Sequence, residues 1–109
     1  MAIPHAQPGQ VIDALPIGAR LRDAKTHALF KSRDLEVIRL VLPAARSLPP
    51  HRVPGEITIQ CVEGSMSVTA EGVEHTLGSG QLLFLRSDVV HAVVAREDSS
   101  AIVTIALAK

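Results

Sequence analysis

The stretch His51-Arg52-Val53-Pro54-Gly55-Glu56-Ile57-Thr58-Ile59-Gln60-Cys61-Val62-Glu63-Gly64 decides how this chain reads. A histidine leads through a Pro-Gly turn into an alternating segment that stops at a glycine. Successive side chains of an extended strand point to opposite faces. Ile57, Ile59 and Cys61 therefore share one face, and Thr58, Gln60 and Val62 the other. This period of two predicts a strand over 57–62 with the Ile57 face inward. A second histidine, His91, opens the apolar run His-Ala-Val-Val-Ala, and a functional site is expected between the two.

Working outward, the same pattern repeats. Thr26 to Lys31 reads as an edge strand, Ser32-Arg33-Asp34 as a turn, and Leu35 to Leu42 as a β-branched strand stopped by Pro43. Ala44 to Pro50 is expected to be a loop that Pro49-Pro50 holds extended. Downstream, strands are predicted over 65–70, 73–77, 81–85, 89–95 and 101–106. Glu71-Gly72 is a hairpin signal, and Arg96 to Ser100 a charged tip. Helix signals are weak, at 9–15 and 21–24. Short strands with turns every eight to twelve residues argue an all-β sandwich or barrel.

The bulk numbers agree. A chain of 109 residues is one domain with room for a single core. Hydrophobic residues reach 47%, but aromatics only 2%, namely Phe30 and Phe84, so the core must be aliphatic. Eleven basic residues balance eleven acidic ones. With no basic stripe and almost no stacking aromatic, nucleic acid is not an expected partner. No apolar run approaches a membrane span, and the N-terminus lacks the pattern of a signal peptide. Cys61 is the one cysteine, so no internal disulfide can form, and the cytoplasm is the expected location. Residues 1–30 read as an apolar arm and edge strand, part of the same domain as a barrel over 31–109. A neutral, apolar chain invites self-association, and a homodimer through the arm and edge strand is expected.

The spacing of the segments over roughly 35–105 resembles the cupin superfamily, with its RmlC-like double-stranded β-helix or jelly-roll barrel. The family's first motif runs G-x5-H-x-H-x(3,4)-E-x6-G. His51 and Gly64 match it, whereas Ala45, Val53 and Ile57 stand at its glycine, second histidine and carboxylate. The second motif runs G-x5-P-x-G-x2-H-x3-N. Gly80 and His91 match at the right interval, with Arg86, Asp88 and Ala95 as replacements. Asp tolerates a left-handed turn, so Asp88 can keep the turn that the glycine makes. Within the family the chain resembles the quercetinase-like branch, with a degenerate first motif.

The resemblance implies a divalent metal site of three histidines and a carboxylate, suited to Fe, Ni, Mn, Cu or Zn. This chain keeps His51 and His91 of that set. His75 is the candidate substitute ligand, with Glu56 and Cys61 behind it; the alternative is a site without metal, since two imidazoles bind one poorly. His5 and His27 read as structural or solvated, and Arg46 and Arg52 as solvated residues that can attract an anion. Val53, Ile57, Ile59, Cys61, Met66, Phe84 and Val93 are expected to line the pocket.

The first functional reading is therefore a cupin that binds a small molecule inside its barrel, around a degenerate metal site at His51 and His91. A metal-dependent, dioxygenase-like oxidoreductase is the alternative. A metal-free sugar epimerase or isomerase, with histidine as acid or base, is the third.

Overall fold

The computed structural model describes residues 5–107; residues 1–4, including the arm's Pro4, and 108–109 lie outside them. Among the described residues nine strands form two antiparallel sheets. In chain order they are β1 (His27–Lys31), β2 (Leu35–Leu42), β3 (Ser47–His51), β4 (Ile57–Glu63), β5 (Ser65–Ala70), β6 (Val73–Gly78), β7 (Leu82–Leu85), β8 (His91–Ala95) and β9 (Ser99–Ala106). One sheet runs β1-β2-β9-β4-β7 and the other β3-β8-β5-β6. This is the all-β, two-sheet architecture that the strand spacing predicts and the jelly roll that the cupin resemblance implies. The helix signals come to one 3-10 turn, Gly18–Asp23.

Alternation places the core as expected. Ile57, Ile59 and Cys61 of β4 are buried, as are His91, Val93 and Ala95 of β8. They meet Met66, Val68 and Ala70 of β5 and Leu40 and Leu42 of β2 in one aliphatic cluster. The Glu71-Gly72 hairpin closes with both residues at positive φ (51° and 76°), the geometry that matches the twist of paired strands.

Two features depart from the sequence reading. The expected loop over 44–50 contains β3, which pairs with β8. Proline cannot donate to a ladder, but β3 is an edge strand, so Pro49 and Pro50 cost it little. The charged tip is also shorter, because β9 begins at Ser99.

The arm lies across the outer face of the five-stranded sheet. The Ala6 amide donates to the Leu29 carbonyl of β1 at 2.8 Å, and Leu21 is buried. Between β3 and β4 the chain passes so close to β9 that a Cβ on Gly55 would stand 1.6 Å from the Ala106 carbonyl oxygen. Only glycine fits there. No helix among the described residues is long and apolar enough to cross a membrane.

Candidate functional site: a histidine pair on an apolar cavity

The β3–β8 register sets His51 directly opposite His91. Their ring centroids are 4.3 Å apart, with the planes tilted by 54°. Two local devices aim them. Pro49-Pro50 keeps the approach to His51 extended. Asp88 adopts φ 62°, the left-handed turn the sequence allows it, and its amide donates to the Val53 carbonyl at 2.9 Å. That bond ties the segment after His51 to the turn before His91.

Each ring is fixed by its own backbone. His51 Nδ1 lies 3.0 Å from the Pro49 carbonyl oxygen and His91 Nδ1 3.0 Å from that of Val89. A carbonyl oxygen can only accept, so in the neutral ring Nδ1 carries the proton and donates. The lone pair is then on Nε2 in both residues. Neither Nε2 makes a hydrogen bond among the described residues. His91 is only 4% exposed and sits deep, whereas His51 is exposed at the rim.

Both rings line a cavity of about 160 Å³ between the sheets. Its other walls are aliphatic, among them Ile38, Leu40, Leu48, Ile59, Val93 and Val103. Thr26 also reaches it, but its hydroxyl is committed to Val41, accepting from the amide at 2.8 Å and donating to the carbonyl at 3.3 Å. Two imidazole lone pairs are therefore the polar groups left to a ligand. Larger clefts of about 500 and 490 Å³ lie between the arm and β1, lined largely by exposed arm residues such as Gln7 and Gln10.

The other expected site residues are placed as follows. Ile59 and Val93 line the cavity. Ile57, Cys61 and Met66 are buried, and Val53 packs on them, but all four belong to the close-packed core rather than the cavity wall. Phe84 is a correction: it is 56% exposed and points away from the interior. In β7 the inward parity belongs to Leu83 and Leu85, which oppose Ile59 and Ile57; Phe84 opposes Thr58 on the outer face. The parity of the short run 82–85 is ambiguous in sequence, because all four residues are apolar.

The substitute ligands do not converge on the pair. His75 is half-buried opposite Val68 on β6, with β5 lying between it and β8. Glu56 is exposed. Cys61 is fully buried, its thiol 3.4 Å from the Glu63 carbonyl oxygen. Burial pushes that thiol up from its ordinary pKa, and the Glu63 and Glu97 carboxylates add to this, so it stays protonated and a poor ligand. Arg46 and Arg52 are exposed and do not line the cavity. Among the described residues no three of His, Cys, Asp and Glu come together as a metal cluster.

One charged group escapes a reading by strands and turns. Glu63, at the end of β4, accepts from the Ile17 amide at 2.8 Å, the Gly18 amide at 2.9 Å and the Ser100 hydroxyl. Arg39, only 5% exposed, lies beside it and donates to the arm carbonyls of Leu15 (2.9 Å) and Asp13 (3.4 Å). A sequence trace was available: Arg39 interrupts the apolar run Val-Ile-Arg-Leu-Val.

Comparison with solved structures confirms the architecture. A conserved protein of unknown function from Streptococcus pyogenes superposes with a TM-score of 0.76 at 17% identity, over 100% of this chain and 97% of that one. An RmlC-like cupin from Desulfovibrio desulfuricans gives 0.76 at 24% identity, over 89% and 96%. A variant of salicylate 1,2-dioxygenase from Pseudoaminobacter salicylatoxidans gives 0.64 at 19% identity, over 66% of this chain and 21% of that one. At these identities the likeness shows the fold. No curated protein matches the chain in sequence. The family model for the cupin domain matches residues 38–107, well over half of the chain, beginning inside β2 and spanning both histidines. This chain therefore belongs to the cupin domain family.

Proposed function

We propose that the barrel interior binds a small molecule, recognised by His51 and His91 without a resident metal. The observation that carries this reading is the paired imidazoles on an aliphatic cavity, each with Nδ1 tied to a carbonyl and Nε2 left over. An apolar pocket with a few fixed polar groups is the usual character of a ligand site.

The donor set argues against a tightly held metal. Sites that retain a metal use three or four protein ligands. Here the two positions that the family fills with a second histidine and a carboxylate are Val53 and Ile57, and Ile57 is core. The first motif is thus read as degenerate.

A dioxygenase-like reading, in which substrate completes a weak metal site, keeps one specific support. Metal-binding histidines characteristically donate their other nitrogen to a carbonyl or carboxylate, as both rings do here. The structural likeness to a salicylate dioxygenase is compatible with it. For an epimerase-like reading the histidines remain, but no carboxylate hydrogen-bonds either ring among the described residues.

Elemental analysis of untagged protein, before and after soaking with Fe(II), Ni(II), Mn(II) and Zn(II) and then gel filtration, decides between them. The expected result is far less than one metal per chain. Near-stoichiometric metal that His51→Ala or His91→Ala removes would overturn the metal-free reading and favour the oxidoreductase.

We further propose that two copies pair. The arm is engaged within its own chain at Leu29 and Glu63. Leu82 (60% exposed) and Phe84 (56%) instead leave an apolar patch on the outer face of edge strand β7, and this patch supports pairing there.

A further inference from the structure

The size and polarity of the cavity restrict what it can hold. Its volume, about 160 Å³, is close to that of apolar cavities, on the order of 150 Å³, that accept benzene. It is smaller than the roughly 300–1,000 Å³ pockets of drug-sized ligands. The ligand body, or the part of it inside the barrel, is one ring.

The walls decide the ring's chemistry. Apart from the histidines and the committed Thr26, they are aliphatic and offer a ligand no donor or acceptor. A sugar would bring several hydroxyls to two lone pairs, and each hydroxyl left without a partner would cost about tenfold in affinity or more. No cation lines the cavity, so an interior carboxylate would find no counter-charge. His51, exposed at the rim, can satisfy its Nε2 with water. His91 is 4% exposed and lines the cavity, and with Nδ1 committed to the Val89 carbonyl its Nε2 is the acceptor left for a ligand's donor.

Resting on the ligand-site reading above, we propose that the cavity selects a single apolar ring bearing one hydroxyl, a phenol or a cyclic enol, with the hydroxyl donating to His91 Nε2. The ring packs against Ile59, Val93 and Val103. Carbohydrates are excluded from this site.

The composition supplies a clean readout. The chain has no Trp and no Tyr, so the near-ultraviolet absorption of a bound phenol is seen against an almost transparent protein. Phenol, benzene and glucose are titrated into the full chain, by calorimetry and, for phenol, by difference absorption. Phenol is expected to bind about tenfold tighter than benzene, as one neutral hydrogen bond provides, and glucose not at millimolar concentration. His91→Leu removes the acceptor at similar bulk and should bring phenol down to the affinity of benzene. Glu56→Gln, at an exposed residue off the cavity wall, should leave the preference for phenol in place. Should His91→Leu fail to fold, the phenol-to-benzene ratio in the unaltered protein still decides. Equal affinity for phenol and benzene, or glucose binding as tightly as phenol, would overturn the ligand class while leaving the cavity a ligand site. Failure of both rings to bind would overturn the ligand-site reading with it.

Discussion

Arg39 and Glu63 approach to 4.0 Å on the outer face of the five-stranded sheet, where both side chains are largely shielded from water. Neither belongs to the cavity. Together they hold the arm: Arg39 takes the carbonyls of Leu15 and Asp13, and Glu63 takes the amides of Ile17 and Gly18. The chain thus crosses its own sheet on a charge pair that supplies both a donor and an acceptor to a segment with no ladder of its own.

Glu63→Gln should loosen this attachment. Glutamine keeps the length but loses the charge and one acceptor, and leaves Arg39 buried beside a neutral group. A cost of about 2 kcal/mol is expected, from the lost charge-assisted bonds and the stranded guanidinium. For a domain of this size that is a Tm drop of roughly 10 °C. Hydrogen exchange should show the amides of Ile17 and Gly18 losing protection before those of β4 and β9.

The same carboxylate gives a pH dependence of known sign. Burial alone would raise its pKa, but the Ser100 hydroxyl, the Gly18 and Ile17 amides and Arg39 outweigh burial and hold it below the ordinary glutamate range. A group whose folded pKa is depressed contributes stability above its unfolded pKa and loses it as pH falls through the folded one. Stability from Glu63 is therefore complete at neutral pH and fades below about 4.5. Melting curves from pH 7 to roughly 3 should show the unaltered protein losing more stability than Glu63→Gln, so that the two converge in acid. A constant gap between them would show that ionisation of Glu63 does not hold the arm.

Two backbone positions make opposite predictions. Ala45 adopts φ 68°, where a Cβ is strained, and it stands where the family places glycine. Ala45→Gly should stabilise by about 0.5–1 kcal/mol, because relief of the left-handed strain exceeds the added freedom of the unfolded chain. Gly55→Ala should destabilise by about 3 kcal/mol or more, because its Cβ would collide with the Ala106 carbonyl oxygen and push β9 away. Urea unfolding of both variants reads the two signs.

Phe84→Glu should convert a dimer to a monomer with its fold and melting behaviour otherwise kept. Phe84 is more than half exposed, so the change costs little core packing. Light scattering at micromolar concentration measures it. A monomer in the unaltered protein, or a dimer that survives the substitution, would remove β7 from the interface.

The strand pattern, the inward face of β4 and the turn at Asp88 were legible in the residues themselves. Each follows from local rules: a period of two, a residue that tolerates a left-handed turn, a glycine after an acidic residue. His51 and His91 could be singled out through the cupin motifs they match, at set intervals from Gly64 and Gly80. What the residues alone left open is whatever depends on which strands become neighbours. His75 and His91 both belong to strands of one sheet, but β5 separates them, so His75 does not reach the pair. Phe84 and Leu83 are equally apolar, and only pairing with β4 shows which faces in. Residues 47–50 read as part of a loop until β8 supplies the partner that makes them strand. Arg39 and Glu63 are 24 positions apart in sequence, and neither signals the other. Sequence by itself determined the local conformation and the apolar faces of this protein, because these depend on neighbours a few residues away. Tertiary structure alone decided that two imidazoles share one small apolar cavity and that a charge pair holds the arm, because burial and contact are set by segments far apart in the chain.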